Sequence, residues 1–285
     1  MNLASLKEIR PILEKNGFNF SKGLGQNFLI NESIPKKIAQ LCPSSKSSLA
    51  IEIGTGVGCL TKELAFRNKK VVAVELDKRL LPVLSETLAE FDNIRIINDD
   101  ILKVDLKAVI EEEGFKDVFV CGNLPYYITT PIVMKIFESR LPLKSVVIMV
   151  QKEVAERFLA PPGTKNYGAI TAAISYYAKV AGSFSVSAGN FFPKPNVDSA
   201  VVRFDLISPP VSVKDETLFF RVLRAAFLMR RKTLANNLQT AFSLPKNDVV
   251  SMLVSLGYSS SVRGEELGIS DFARISDVIA SFLKP

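Results

Sequence analysis

Leu49-Ala50-Ile51-Glu52-Ile53-Gly54-Thr55-Gly56-Val57-Gly58 joins an almost wholly apolar run to three glycines at alternate positions. A short run without polar alternation reads as a strand buried on both faces. Spaced glycines after such a strand let the main chain approach a ligand closely, with the N-terminus of the next helix, from about Leu60, behind it. Working outward, Val71-Val72-Ala73-Val74, Ile94-Arg95-Ile96-Ile97, Val118-Phe119-Val120-Cys121 and Val146-Val147-Ile148-Met149-Val150 are further apolar runs. Helical stretches at Leu80 to Leu88 and Val133 to Phe137 lie between them. Short apolar strands alternating with helices predict an α/β fold, a parallel sheet covered on both faces.

On the N-terminal side, Leu3, Leu6, Ile9 and Leu13 mark a short helix ending near Gly17. Asn31 is placed to cap a second helix with Ile34, Ile38 and Leu41 on one face. After Glu153 the pattern changes: Tyr167 to Tyr177 reads as helix and Ala200-Val201-Val202-Arg203-Phe204 as a strand that can close the sheet in antiparallel fashion. Ser208-Pro209-Pro210 marks a boundary. Beyond it the chain reads as helical over Glu216–Phe242, with an interruption, then Asn247–Leu256 and Asp271–Leu283. The expected domains are residues 1–207 and 208–285.

No apolar stretch approaches the ~20 residues of a membrane span, and the charged N-terminus lacks a signal-peptide core. A cytoplasmic protein is the expectation. The formal charge of +7 fits a polyanionic partner. The chain has no histidine, which removes the commonest general base and the commonest metal ligand. Cys42, Cys59 and Cys121 form no CxxC pair and read as reduced, mostly buried residues. Chemistry without histidine and without a metal is therefore expected.

The strand ends carry the chemistry. Glu75 closes the second strand, seventeen positions after Gly58, where a carboxylate can chelate the two hydroxyls of a ribose. The third strand runs into Asn98-Asp99-Asp100-Ile101, where a carboxylate can accept an adenine amine. Each has an ordinary alternative, a tight turn or a solvated charge, but three at consecutive strand ends point to a nucleoside cofactor. The spacing favours S-adenosylmethionine over NAD, because Cys59 stands where G-x-G-x-x-G needs its third glycine.

Directly after the fourth strand comes Asn123-Leu124-Pro125-Tyr126. As a bare tetrapeptide it is equally a strand-to-loop turn. An exocyclic nucleobase amine is a weak nucleophile, and alkylating it calls for acceptors for its two hydrogens and a flat surface for the base. The Asn123 side-chain oxygen with the Leu124 or Pro125 carbonyl can be the acceptors, and Tyr126 the surface.

With these residues in place the sequence resembles the ribosomal RNA adenine dimethyltransferases over nearly its whole length. Gly25-Gln26-Asn27-Phe28-Leu29, Glu52 to Gly58, Glu75-Leu76-Asp77, Asn123-Leu124-Pro125-Tyr126 and Phe191-Phe192-Pro193-Lys194-Pro195-Asn196-Val197-Asp198-Ser199-Ala200-Val201-Val202 resemble that family's ordered motifs. Ala226-Phe227-Leu228-Met229-Arg230-Arg231-Lys232-Thr233-Leu234-Ala235-Asn236-Asn237-Leu238 and Leu256-Gly257-Tyr258 resemble its small-subunit branch rather than the macrolide-resistance enzymes. Many members carry proline at the position of Thr55.

The resemblance implies a Rossmann-like, doubly wound, mostly parallel seven-stranded sheet with a small all-helical C-terminal domain. It implies S-adenosylmethionine as donor, S-adenosylhomocysteine as product, no metal, and two adjacent adenosines near the 3′ end of 16S RNA in the small ribosomal subunit as target. Asn27, Leu29, Gly54, Gly56, Glu75, Leu76, Asp100, Ile101 and Asn123 would hold the cofactor. Asn123, Leu124, Pro125, Tyr126 and Phe191 would hold the base, with Phe191 in the core as the ordinary alternative. Arg221, Arg224 and Arg231 fall within roughly 80° of one another on an unbroken helix. With Arg230, Lys232 and Lys22 they would meet RNA, a solvated face being the plain alternative. No exposed apolar helix stands out, so a monomer is expected. The competing readings are an assembly factor that binds without catalysis and a large-subunit methyltransferase.

Overall fold

The computed structural model describes residues 1–20 and 26–283. In chain order it contains α1 (Leu6–Lys15), β1 (Phe28–Leu29), α2 (Ser33–Leu41), β2 (Ser48–Ile53), α3 (Cys59–Arg67), β3 (Lys70–Glu75), α4 (Leu81–Thr87), β4 (Ile94–Asn98), α5 (Leu106–Glu113), β5 (Asp117–Asn123), α6 (Thr129–Glu138) and β6 (Ser145–Gln151). These are followed by α7 (Lys152–Phe158), α8 (Ala169–Tyr177), β7 (Ala178–Val186), β8 (Phe191–Phe192), β9 (Ser199–Leu206), α9 (Glu216–Ala226), α10 (Leu234–Phe242), α11 (Lys246–Ser255) and α12 (Ile269–Leu283).

The apolar runs become the centre of a seven-stranded sheet ordered β4-β3-β2-β5-β6-β9-β7. The first five strands in that order are parallel, and β9 returns antiparallel to β6. Residues Ala50, Phe119, Cys121, Val147, Met149 and Val201 share one core with Ile34 and Ile38 of α2 and Leu60 and Leu64 of α3. α1 closes a second cluster, setting Ile9, Ile12 and Leu13 with Val83 and Leu84 of α4. β2, β3, β5 and β6 are buried almost throughout, which leaves their carboxyl edge for chemistry. All three cysteines are unpaired, with Cys42 and Cys121 buried.

The chain divides into two compact units, Met1–Ala155 with Val180–Leu206, and Glu156–Lys179 with Ile207–Pro285. The expected boundary after residue 207 left 156–179 with the sheet; these residues instead belong with the helices. The reason is aromatic packing. Tyr176 and Tyr177 of α8 pack against Phe219 and Phe220 of α9, with ring centroids 5.0–5.5 Å apart and the Tyr177–Phe220 pair stacked.

Within the helical unit the expected long helix breaks between Ala226 and Leu234. The buried Asn237 side chain donates to the carbonyls of Ala226 (2.9 Å) and Met229 (3.3 Å), satisfying the open end of α9. Thr233 caps α10 by accepting from the Asn236 N–H. Among the described residues no helix is long and apolar enough to cross a membrane.

Candidate active site

β5 delivers Asn123 to the carboxyl edge, next to β2 and its glycine turn. The Asn123 Nδ2 donates to the Asn27 carbonyl at 3.1 Å. That bond fixes which way the amide points: its nitrogen is spent on the N-terminal segment, and its oxygen remains as an acceptor. Asn123 is half-buried and lines an open cavity of about 780 Å³, counting its solvent-facing mouth.

The two residues that follow divide their duties. The Leu124 N–H donates to the Met149 carbonyl of β6 at 3.1 Å, pinning the tetrapeptide to the sheet. The Pro125 carbonyl accepts from Thr129 Oγ1 (3.1 Å) and from the Ile128 N–H (3.3 Å) at the start of α6. Of the two carbonyls that the sequence offers, Pro125 is thus committed to the helix start, which favours Leu124 as the second acceptor. The Tyr126 hydroxyl lies 2.7 Å from Ser199 Oγ, and burial pushes its pKa up.

The opposite wall is the glycine turn. Gly54 and Gly56 have φ of 77° and 56°, a region that favours glycine. A Cβ on Gly54 would meet the Asn123 carbonyl at 3.4 Å, and one on Gly56 the Phe28 ring at 3.4 Å. The turn is braced from beneath. Glu75 Oε2 accepts the N–H groups of Thr55 (3.0 Å) and Gly56 (3.1 Å), and its Oε1 accepts that of Asp77 (2.8 Å). Even with three donors, burial wins and raises the Glu75 pKa. Asp77 is not among the residues lining the cavity. Arg79 and Gln26 hold its carboxylate at 2.6–2.8 Å and keep its pKa low.

The third strand end is tied to the second by Asn98, whose Nδ2 donates to the Glu75 carbonyl at 2.7 Å. Asp100 Oδ1 accepts the Leu102 N–H, and Lys135 of α6 donates to the carbonyls of Ile101 and Val104. The loop that presents Asp100 and Ile101 is thereby fixed.

The cavity brings together Asn27, Gly54, Gly56, Glu75, Leu76, Asp100, Ile101, Asn123, Leu124, Pro125 and Tyr126. It also takes in Gln26, Phe28, Ile53, Val74, Leu80, Asp99, Tyr127, Ile128 and Ile132, which the sequence reading did not single out as site residues. Gln26 and Phe28 sit inside the quoted N-terminal motif, so their signal was there.

Two expected residues lie elsewhere. Phe191 is only 2% exposed and joins the same core as Leu29. The two pair backbone to backbone in the antiparallel β1–β8 ribbon. Phe191 therefore gives its ring to the interior and not to a base, and the Leu29 side chain likewise faces the core. Lys22 lies outside the described residues. No cluster able to hold a metal occurs among the described residues.

Residues 17–280 match the family model for ribosomal RNA adenine dimethylase. The chain belongs to that family. A small-subunit ribosomal RNA methyltransferase A from Geobacillus kaustophilus is 49% identical over 287 residues, covering 98% of this chain and 97% of that protein. One of the same name from Bacillus mycoides is 47% identical over 284 residues, covering 98% of this chain and 97% of its own. Among solved structures, a dimethyladenosine transferase from Plasmodium falciparum superposes with a TM-score of 0.72 at 26% identity, covering 87% of this chain and 95% of its own. The 23S methyltransferase ErmE, with a TM-score of 0.68 at 24% identity, covers 88% of this chain and 98% of its own and shares the fold.

This dimethylase-family chain has a cavity suited to S-adenosylmethionine: a cradle of positive-φ glycines, carboxylates at the next two strand ends, and apolar walls from Phe28, Leu76 and Ile101. Thr55 adds an N–H to Glu75 that a proline at that position would lack.

The expected basic face is rearranged. Because α9 ends at Ala226, Arg231 cannot share a continuous helical face with Arg221 and Arg224. Arg221 and Arg224 stay exposed on α9, with Arg221 placed 5.0 Å over the Phe242 ring. Arg230 bonds Glu265 and the Lys165 carbonyl. Arg231 and Lys232 are exposed in the turn before α10.

Below the glycine turn, Glu52 is 1% exposed, and its Oε2 has no hydrogen-bond partner. Burial pushes its carboxyl up from 4.5 to about 8. A folded-state pKa above the unfolded one means that the folded chain binds the extra proton, so stability is fully present below the unfolded value and falls as pH rises through the folded one. Glu75 acts with the same sign. Glu52→Gln is therefore expected to flatten the decline in melting temperature between about pH 5 and pH 8.5. Parallel curves for variant and wild type would show that Glu52 is not the source.

Proposed function

We propose that this chain transfers methyl groups from S-adenosylmethionine to the N6 amines of two adjacent adenosines in a 3′-terminal hairpin of small-subunit (16S) ribosomal RNA. The product is N6,N6-dimethyladenosine, and the reaction belongs to small-subunit biogenesis in the cytoplasm. The observation that carries the reading is the orientation of Asn123: its amide nitrogen is held by Asn27, which leaves the oxygen to accept an amine hydrogen.

Bound in the cavity, S-adenosylmethionine supplies an electrophilic methyl with a neutral sulfide as leaving group. The chain's own residues do the positioning. Asn27, Gly54, Gly56, Glu75, Leu76, Asp100 and Ile101 are assigned to the cofactor. Asn123 Oδ1 and the Leu124 carbonyl accept the two amine hydrogens and aim the nitrogen lone pair, while the Tyr126 ring stacks the extruded base. Alignment and exclusion of water supply most of the acceleration. The surplus proton leaves to water after attack, so no histidine is needed.

The helical segment from residue 208 onward is assigned to RNA. Arg221, Arg224, Arg230, Arg231 and Lys232, together with Lys22, would neutralise phosphates. The chain is taken to act as a monomer.

The test is transfer of labelled methyl from S-adenosylmethionine to unmethylated small and large ribosomal subunits. Label in two adjacent adenosines of the small-subunit RNA is expected. Label in the large subunit, or none in either, overturns the reading.

A further inference from the structure

Stacking a purine requires a ring face held at a fixed attitude; it does not require a hydroxyl. The aromatic residue of the tetrapeptide is nonetheless a tyrosine, and its hydroxyl has a specific partner. Tyr126 lines the cavity, and its hydroxyl is 2.7 Å from Ser199 Oγ, seventy-three positions along the chain.

Ser199 is fully buried, with 0% exposure. It opens β9 opposite Gln151 of β6. The residue before it is locked as well. The Asp198 carbonyl accepts the Lys152 N–H at 2.9 Å, and its carboxylate accepts the Ala188 N–H at 2.9 Å. The Ser199 hydroxyl is therefore a fixed point on the sheet. The same β6 strand holds the Leu124 N–H through the Met149 carbonyl.

The β6–β9 pair thus grips the tetrapeptide twice, once by backbone at Leu124 and once by side chain at Tyr126. Tyr126 begins a single 3-10 turn, Tyr126–Ile128, next to Tyr127, which is 55% exposed. Without the hydroxyl bond, a half-buried ring at the start of so short a turn has only its packing to hold it.

We propose that Ser199 is a positioning residue for methyl transfer: its hydroxyl fixes the attitude of the Tyr126 ring against which the target adenine stacks. The inference rests on the functional reading above. Ser199 acts only through Tyr126, and the post-catalytic segment that carries it is thereby joined to the chemistry, although Phe191 of the same segment is in the core.

Two variants isolate the bond. Tyr126→Phe keeps the ring and removes the tether; Ser199→Ala keeps the tyrosine and removes its partner. Each is expected to lower kcat for methyl transfer to unmethylated small subunits about three- to tenfold. The affinity for S-adenosylmethionine, measured by calorimetry, should be unchanged. The double variant should be no slower than the slower single one, because both remove the same interaction.

Losses that multiply in the double variant overturn the proposal, as does full kcat in either single variant. Tyr126→Phe alters a half-buried side chain, so the test does not depend on how Ser199→Ala folds. A wild-type chain that labels no small-subunit RNA overturns the functional reading and this inference with it. A labelling wild type with unaffected variants overturns this inference alone.

Discussion

Asn123→Ala is expected to lower kcat for methyl transfer by about 10²–10³-fold, the usual cost of removing one preorganised polar group from a transition state. The amine gains positive character as its lone pair moves onto the methyl, so an acceptor aimed at its hydrogen is worth more then than in the ground state. The Asn123 oxygen is such an acceptor because the amide cannot turn: its nitrogen is fixed on the Asn27 carbonyl. Losing that second bond costs about 1 kcal/mol in a half-buried setting, so cofactor affinity should fall only severalfold. Asn123→Asp separates the two roles. It keeps an acceptor oxygen but turns another toward the Asn27 carbonyl, where oxygen faces oxygen. It should bind cofactor less tightly than the wild type yet turn over faster than the alanine variant. Single-turnover transfer and calorimetric titration read the two quantities independently. An alanine variant within threefold of wild-type kcat would sink the assignment of Asn123 as the amine's acceptor.

What the sequence discloses follows from which forces act locally. The five parallel strands are legible because each is a short, mostly apolar run, and burial of β2, β3, β5 and β6 on both faces demands that composition. β7 is not, because it is an edge strand with Lys179, Val180 and Ala181 exposed in a row, so neither an apolar run nor a strict alternation marks it. The β1–β8 ribbon has two residues per strand, too few for any periodicity. The break after Ala226 is secured by Asn237, eleven positions on, whose side chain takes the Ala226 carbonyl that α9 leaves open. A sequence can show that a helix of that length is interrupted, but not which asparagine ends it. The site divides in the same way. Gly54, Glu75, Asp100 and Asn123 are legible because they follow strands, and the fold carries strand ends to one edge. Leu80 and Ile132 reach the cavity from the turn before α4 and from α6, and only tertiary packing brings them there. Phe191 reads as a stacking residue by motif position; its pairing opposite Leu29 turns it into the core.

Gly122 gives the other large effect. In the sequence it looks like a turn residue beside Asn123, but it lies inside β5, one position before the strand's end. A Cβ there would stand 2.3 Å from the Ile53 carbonyl oxygen and 3.1 Å from the Ile53 carbon and nitrogen. All three are backbone atoms. Ile53 ends β2, a strand buried along its whole length and paired on both sides, to β3 and β5, so it has no free direction in which to yield. Gly122→Ala is therefore expected to cost about 3 kcal/mol or more, a fall in melting temperature on the order of 10 °C for a chain of this size. The same clash would push apart the two residues that follow, Gly54 and Asn123, whose close approach shapes the cavity, so kcat should fall in whatever fraction remains folded. Gly168→Ala is the matched control. A Cβ at Gly168 meets nothing within 4 Å, and its backbone is extended at φ −162°, so that variant should melt within about 2 °C of the wild type. If Gly122→Ala melts alongside it, β2 and β5 do not approach as closely as described, and the cavity between Gly54 and Asn123 is wider than the chemistry of a small methyl donor requires.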